Sequence, residues 1–326
     1  LMINNTHFSF IDTIFSSNII ETQIEYNPNS IEFFGVQVID KGSKTSISNN
    51  VQPISFEFND IDDGFYKFGP NDAIINVPEP FQLMVSEVNN LQYRSYLSVA
   101  RELNEIDTTN IGPWILDNEG NILYDLENGY VRWDGDNFYI HNILENLLIP
   151  NYPITHVSWL GAKHFAEFFD FRLPHETEWE KAAADNGDFD YPWGNEYDDL
   201  DYSPINEIES TYANYFENES HESQPEPYEP GGEINSIGTP GLAPVYYIDD
   251  VINPFWFFDK CPEDCNNFNH MAGNVWEWVN HDNGYSGSQM CRGGSWRSSK
   301  QELRVWSTKL LESHITGDHI GFRCAK

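Results

Sequence analysis

His270-Met271-Ala272-Gly273-Asn274-Val275-Trp276-Glu277-Trp278 is the stretch whose reading decides the fold. It sets two tryptophans, a carboxylate and a glycine close together. Related ingredients return in Arg292-Gly293-Gly294-Ser295-Trp296 and in the closing Gly321-Phe322-Arg323-Cys324. Such segments read as short buried strands, with glycines where a bulky neighbour or an ion approaches the backbone. Glu277 stands between two indoles, where a carboxylate needs a cation, an arginine or backbone amides. Arg292 and Arg323 read as core arginines that stack beside tryptophan and satisfy carbonyls.

Composition bounds the function classes. The chain has 326 residues, enough for one large domain or two small ones, and is 40% hydrophobic and 15% aromatic. Lys and Arg total 17 against 52 Asp and Glu, a formal net charge of −35. Phosphate contacts need basic clusters, so nucleic acid and anionic membrane surfaces are excluded as partners, while cations and cationic surfaces are favoured. So much acid serves solubility or calcium, which takes hard oxygen ligands. No run reaches the roughly 18 apolar residues of a membrane span. Leu1-Met2-Ile3-Asn4 carries no charged leader region, which reads as a start after a processed leader.

Further blocks lie upstream in the order Glu87-Val88-Asn89-Asn90-Leu91-Gln92-Tyr93, Pro153-Ile154-Thr155-His156-Val157-Ser158-Trp159, Arg172-Leu173-Pro174-His175-Glu176-Thr177-Glu178-Trp179-Glu180 and Tyr191-Pro192-Trp193-Gly194. Together with GNVWEW, RGGSW and GFRCA they resemble the formylglycine-generating-enzyme (sulfatase-modifying-factor) family over roughly residues 60–326. The resemblance implies an α+β fold, the formylglycine-generating-enzyme variant of the C-type-lectin-like fold. A twisted antiparallel sheet would carry flanking helices and much irregular loop.

The resemblance also says where chemistry would sit. In the enzymes of the family, two cysteines downstream of GGS bind copper, a soft ion that thiolates suit, and oxidise a substrate cysteine. Counting from Gly293-Gly294-Ser295-Trp296, those positions fall on Ser298 and Leu303, which cannot do that work. Two calcium sites are implied as well. One would use Asn214 and Tyr215 in Tyr212-Ala213-Asn214-Tyr215. The other would use the carbonyls of Gly273 and Val275 and the carboxylate of Glu277, with His270 where an oxygen ligand is usual. The competing reading pairs Glu277 with Arg292, Arg304 or Arg323. Trp276, Trp278, Arg292, Trp296 and Arg323 are taken as structural.

Cys261, Cys265, Cys291 and Cys324 allow three pairings that counting cannot separate. The resembled fold sets the strands of Cys291 and Cys324 side by side and implies a bridge between them. Cys261 and Cys265 enclose a tight loop that could close on itself. A zinc site lacks the paired knuckle spacing. Disulfides would mark an exported protein.

Along the chain, residues 1–58 alternate apolar and polar side chains and read as a β-rich extension or assembly arm. Residues 59–326 form the main domain. Phe65-Tyr66-Lys67-Phe68-Gly69 reads as its opening strand. A helix is expected near Asn89–Glu105, capped by Asn89 or Asn90, with apolar residues at 93, 96, 97 and 100. Residues 113–150 read as an insert of meandering strands with hairpin turns such as Asp134-Gly135-Asp136-Asn137. Ser158 should cap a helix whose face runs Ala162, Phe165, Ala166, Phe169. Pro174 should start another, with His175 as an exposed imidazole. Residues 186–233 read as an acidic surface loop.

The function these features support is a non-catalytic binding or structural module, exported and set at a cell or particle surface. Its partners would be other protein subunits, including copies of itself, or a surface protein or glycan. Relatives of the scaffold that serve in gliding-motility lipoproteins and phage receptor-binding proteins supply the analogy. The alternative is a non-haem iron or copper oxidoreductase of the same superfamily. The separated pair His270 and His281 is its thin support.

Overall fold

The computed structural model describes residues 2–4, 7–9, 54–107, 112–141, 149–184, 187, 189–192, 194, 213, 242–243, 245, 268–281 and 287–326. Asn214, Tyr215, Cys261, Cys265 and nearly all of the acidic stretch 186–233 lie outside them.

The central sheet grows from the aromatic segments. β12 (Trp276–Val279), β13 (Ser288–Arg292), β14 (Thr308–Glu312) and β15 (Ile320–Gly321) lie in the order β14-β13-β12-β15. The β12–β15 contact is parallel and the others are antiparallel. Every residue of β12 is buried, which is why it lacks the alternation of a half-exposed strand. The C-terminal residues then run beside β6 (Phe81–Met84), exchanging backbone bonds between Met84 and Cys324 and between Gln82 and Lys326. β6 also pairs with β3 (Phe58–Ile61), so the two ends of the domain close on one another.

Helix α1 (Asn90–Glu102) starts at Asn89, whose side chain accepts from the Gln92 N–H while Gln92 accepts from the Asn89 N–H. This reciprocal cap satisfies two otherwise orphaned donors. Helix α2 (Trp159–Phe168) is capped by Ser158, whose hydroxyl also donates to the Ile122 carbonyl. Gly161 lets α2 approach closely, since a Cβ there would lie 2.0 Å from the Leu123 carbonyl oxygen. Helix α3 (Glu176–Ala183) begins two residues after Pro174. His175 is no exposed imidazole: it is half-buried and its Nδ1 accepts from the Thr177 N–H, doing the work of a hydroxyl cap.

The main core lies between α1, α2 and the sheet. Phe165 stacks on Tyr93 at 5.6 Å and meets Tyr96 and Phe322 edge-on, arrangements aromatic pairs favour. Ile54 and Phe56 belong to this core, Phe56 packing on Phe165, Phe169 and Phe171. The domain therefore begins before residue 59, the boundary expected from sequence. Upstream, β1 (Met2–Asn4) and β2 (His7–Ser9) form an antiparallel pair.

β4 (Gly64–Phe68) pairs with β5 (Ala73–Val77), and β7 (Ile106–Asp107), β8 (Trp114–Asp117) and β9 (Ile122–Asp125) form a three-stranded meander. β10 (Val131–Trp133) and β11 (Phe138–Ile140) make a hairpin. At its turn Asp134 accepts from the N–H groups of Asp136 and Asn137, a tight polar turn.

Candidate functional site

Register brings the charged residues of the aromatic strands together. Glu277 on β12 pairs across to Arg292 on β13 and to Gly321 on β15, and Arg323 follows two residues later. Arg323 takes Glu277: its Nε donates to Oε2 at 2.7 Å and its Nη2 to Oε1 at 2.8 Å. Its remaining N–H groups reach the carbonyls of Met84, Val85 and Asn269, so all five guanidinium donors are used. The Trp179 indole donates to Glu277 Oε2 at 2.8 Å. Trp179 belongs to the recognised Arg172–Glu180 block, yet its partner lies 98 residues away and had no local signal.

Next to this pair sits a second buried acid, Glu87. Its Oε1 accepts from Asn274 Nδ2 at 3.0 Å, and Asn274 Oδ1 accepts from the Ala243 N–H. Burial pushes the Glu87 carboxyl well above its usual range; Arg323 opposes that shift and Glu277 adds to it. Glu87 and Asn274, whose roles no local pattern reveals, tie the helix approach to the aromatic stretch.

Arg292 faces Glu277 in register but turns to α3. It donates to Glu180 at 2.7 Å and to Glu176 at 2.9 Å, and lies over the Phe68 ring at 5.4 Å. Burial raises the Glu180 carboxyl although Arg292 opposes it. His281 Nδ1 lies 3.7 Å from Glu176, whereas His270 is buried with φ +55°. Among the described residues, no three His, Cys, Asp or Glu side chains are grouped to hold a metal ion.

The implied calcium ligand set at Glu277 does not fit the arrangement. Three donors already occupy its two oxygens, and an added dication would stand against the guanidinium of Arg323. His270, a nitrogen ligand, is a poor substitute for oxygen.

Ser298 and Leu303, the positions to which the count from Gly293-Gly294-Ser295-Trp296 leads, are held by local contacts. Ser298 is buried; its hydroxyl accepts from the Ser295 N–H at 3.1 Å and lies 3.4 Å from the Ser295 hydroxyl. Leu303 is fully buried with Tyr191, Ala213 and Ala272, and packs so closely on Gly294 that a Cβ there would lie 2.8 Å from its methyl. The result is a polar turn beside an apolar plug.

Nearby, Trp296 donates through its indole to the Asp318 carbonyl at 3.2 Å and is covered by Arg297, 4.5 Å from the ring centre. Trp278 donates to the Val157 carbonyl at 3.1 Å. Partial burial opposes ionisation of Asp318, but His319 at 3.0 Å and the Arg297 charge hold its carboxyl below the usual range.

The Cys291–Cys324 bridge is not formed, and both carry free, buried thiols. Cys291 lies on β13 opposite Trp278, whereas Cys324 follows β15 on the other side of β12, where its carbonyl accepts from Met84. Strands two places apart are about 9–10 Å distant, beyond the roughly 7 Å a disulfide spans. Burial pushes both thiols well above their ordinary value.

Comparison with known proteins agrees with this geometry. The chain matches the family described as "Sulfatase-modifying factor enzyme 1-like domain" over residues 51–326. It is 36% identical over 132 residues to a formylglycine-generating enzyme of Thermomonospora curvata, covering 40% of this chain and 33% of that one. It is 27% identical over 183 residues to the inactive Cα-formylglycine-generating enzyme 2 of Bos taurus, covering 53% and 50%. The chain thus spans half or less of these relatives' length. Among solved structures, CarF superposes with a TM-score of 0.51 at 18% identity, over 83% of this chain and 98% of that one, a likeness of fold alone. The matched segment takes in the aromatic strands and both arginine hubs; by that match this chain belongs to the sulfatase-modifying factor enzyme 1-like domain family.

Proposed function

We propose that this chain is a non-catalytic member of its family, a binding or structural module that keeps the scaffold and has given up oxidative chemistry. The observation that carries the reading is the pair Ser298 and Leu303. One is a hydroxyl engaged by Ser295, and the other an isobutyl group packed on Gly294. Neither donates a thiolate, and a soft monovalent copper ion needs thiolate or thioether ligands. The two described cysteines cannot replace them, because each is buried in the core with its thiol pushed up. The buried arginine hubs support the same reading: they spend their charge on holding strands together.

The partner class that composition favours is a cationic protein surface or subunit, because the chain carries a net charge of −35. The exterior setting expected from disulfides draws no support from Cys291 and Cys324, which are free thiols.

The test is a titration of the reduced protein with monovalent copper against a chromogenic chelator, alongside aerobic incubation with cysteine-containing peptides. The expected result is no tight stoichiometric copper and no conversion of peptide cysteine to formylglycine. One tightly held copper per chain together with turnover would overturn the reading.

A further inference from the structure

Among the described residues, the hairpin of β4 and β5 has one strand edge with no paired neighbour. In its register Tyr66 and Val77 point inward and are buried, while Phe65, Lys67, Ile74 and Asn76 share the outer face. Phe65 and Ile74 are 73% and 66% exposed, the highest values among the exposed large hydrophobic residues described. The two edges of the hairpin differ. On the β4 side Gly187 lies against the Lys67 backbone, so closely that a Cβ would come within 2.2 Å of the Lys67 carbonyl oxygen. On the β5 side, among the described residues, the backbone of Ala73–Val77 is bonded only to β4.

The segment Ala73-Ile74-Ile75-Asn76-Val77 has no charge and no proline, and three of its residues are β-branched. Exposed edges are ordinarily blunted by a lysine, a proline, a bulge or a covering loop. The strand itself holds no lysine, proline or bulge, and Pro78 comes only after its last residue. An edge of this length, about 16 Å, accepts a further strand of some five residues through main-chain bonds.

Charge selects the occupant. Asp72 immediately precedes β5, and Glu79 follows it; Asp62 and Asp63 stand at the same end as Glu79, because Gly64 pairs with Val77. All four are exposed. A second copy pairing antiparallel about Ile75 would set Asp72 beside the other copy's Glu79 end, and like charges across strands repel. Each copy would also carry the net charge of −35. A strand with basic residues beyond both ends has the opposite character.

We infer that the open β5 edge is a docking site for an extended segment of a partner protein, uncharged and rich in β-branched or apolar residues over about five positions and flanked on both sides by Lys or Arg. Main-chain bonds to β5 supply affinity. Contact with Ile74 on the outer face of β5 selects an apolar side chain beside it, and the flanking acids exclude acidic segments. This site is separate from the non-catalytic reading above and does not depend on it, so copper titration and strand binding fail or succeed independently.

The probe is a fluorescent peptide of alternating valine and threonine with two lysines at each end, titrated with the whole chain. Controls are the same peptide N-methylated along one edge and an analogue with glutamates for the lysines. The basic peptide should bind saturably and lose at least about tenfold affinity when salt is raised from low to several hundred millimolar. N-methylation or glutamate flanks should abolish binding. Ile74→Lys, which places a charge on an exposed side chain, should weaken binding about tenfold or more without moving the thermal midpoint. Asp62→Asn with Asp63→Asn should weaken binding mainly at low salt. Binding that survives N-methylation or Ile74→Lys, equal binding of the glutamate analogue, or no saturable binding would each overturn the inference. So would a concentration-dependent dimer in ultracentrifugation that Ile74→Lys dissolves, since the edge would then belong to a second copy.

Discussion

Arg323 holds both carboxylate oxygens of Glu277, at 2.7 and 2.8 Å, from a position that is itself fully buried. The pair joins the C-terminal segment to β12, and the same guanidinium reaches the carbonyls of Met84, Val85 and Asn269. Removing one partner strands a buried charge. Arg323→Met should cost about 3–5 kcal/mol in chemical denaturation, and Glu277→Gln a comparable amount. The double variant should be less destabilised than the sum of the singles, a coupling of 1 kcal/mol or more that a double-mutant cycle would read at about that precision. Strict additivity would show that the two side chains do not depend on one another.

Because Arg323 and Trp179 already fill Glu277, calcium should have no part in what this carboxylate does. The stability difference between the parent chain and Glu277→Gln should be the same in millimolar calcium and in chelator. A calcium ligand at Glu277 would enlarge that difference in calcium, by roughly 2.7 kcal/mol at a hundredfold excess over the dissociation constant. The comparison isolates Glu277 from any ion held elsewhere.

Cys291 and Cys324 are buried thiols whose ionisation is pushed upward by burial. In native protein at mildly alkaline pH both should resist maleimide, since the thiolate is the reactive species. In denaturant without reductant, both should be alkylated, and peptide mapping by mass spectrometry should place the label on each. A linked pair of peptides would restore the bridge that the strand order denies.

Asp318 is held ionised below its ordinary range, against partial burial, by His319 and Arg297. Its folded value lies below its unfolded one, so the folded state binds fewer protons between them. The stabilisation is complete above the ordinary aspartate value and is lost as pH falls through the depressed one. Asp318→Asn should therefore lower stability near neutrality by a few tenths to about 1 kcal/mol, less in high salt. The difference from the parent should vanish in strong acid. A difference that persists there would assign the effect to packing.

Ser158 caps α2 and donates to the Ile122 carbonyl, binding the helix to β9. Ser158→Ala should cost about 1–2 kcal/mol, with the larger figure reflecting loss of both contacts. Ser158→Thr, which keeps both the acceptor and the donor, should recover part of it, as thermal or urea unfolding would show.

The scaffold was legible wherever a residue's role is set by its neighbours in sequence. Asn89 as a helix cap, the apolar positions 93, 96, 97 and 100, and the Ser158 cap all follow from local hydrogen bonding and helical periodicity. That Ser298 and Leu303 carry no thiol is likewise read directly from the sequence. The capping role of His175 is hidden in the sequence, because an imidazole nitrogen replaces the hydroxyl acceptor that residue preferences favour.

What the sequence by itself determined is the family scaffold and the succession of its aromatic segments along the chain, for these depend on side-chain chemistry at counted positions. Only the tertiary structure decided which arginine takes Glu277, that Cys291 and Cys324 stand on opposite sides of β12, and that among the described residues β5 pairs with β4 alone. These depend on which strands become neighbours. Strand order places residues far apart in sequence within a few ångströms or keeps near repeats apart, and no local propensity encodes that choice.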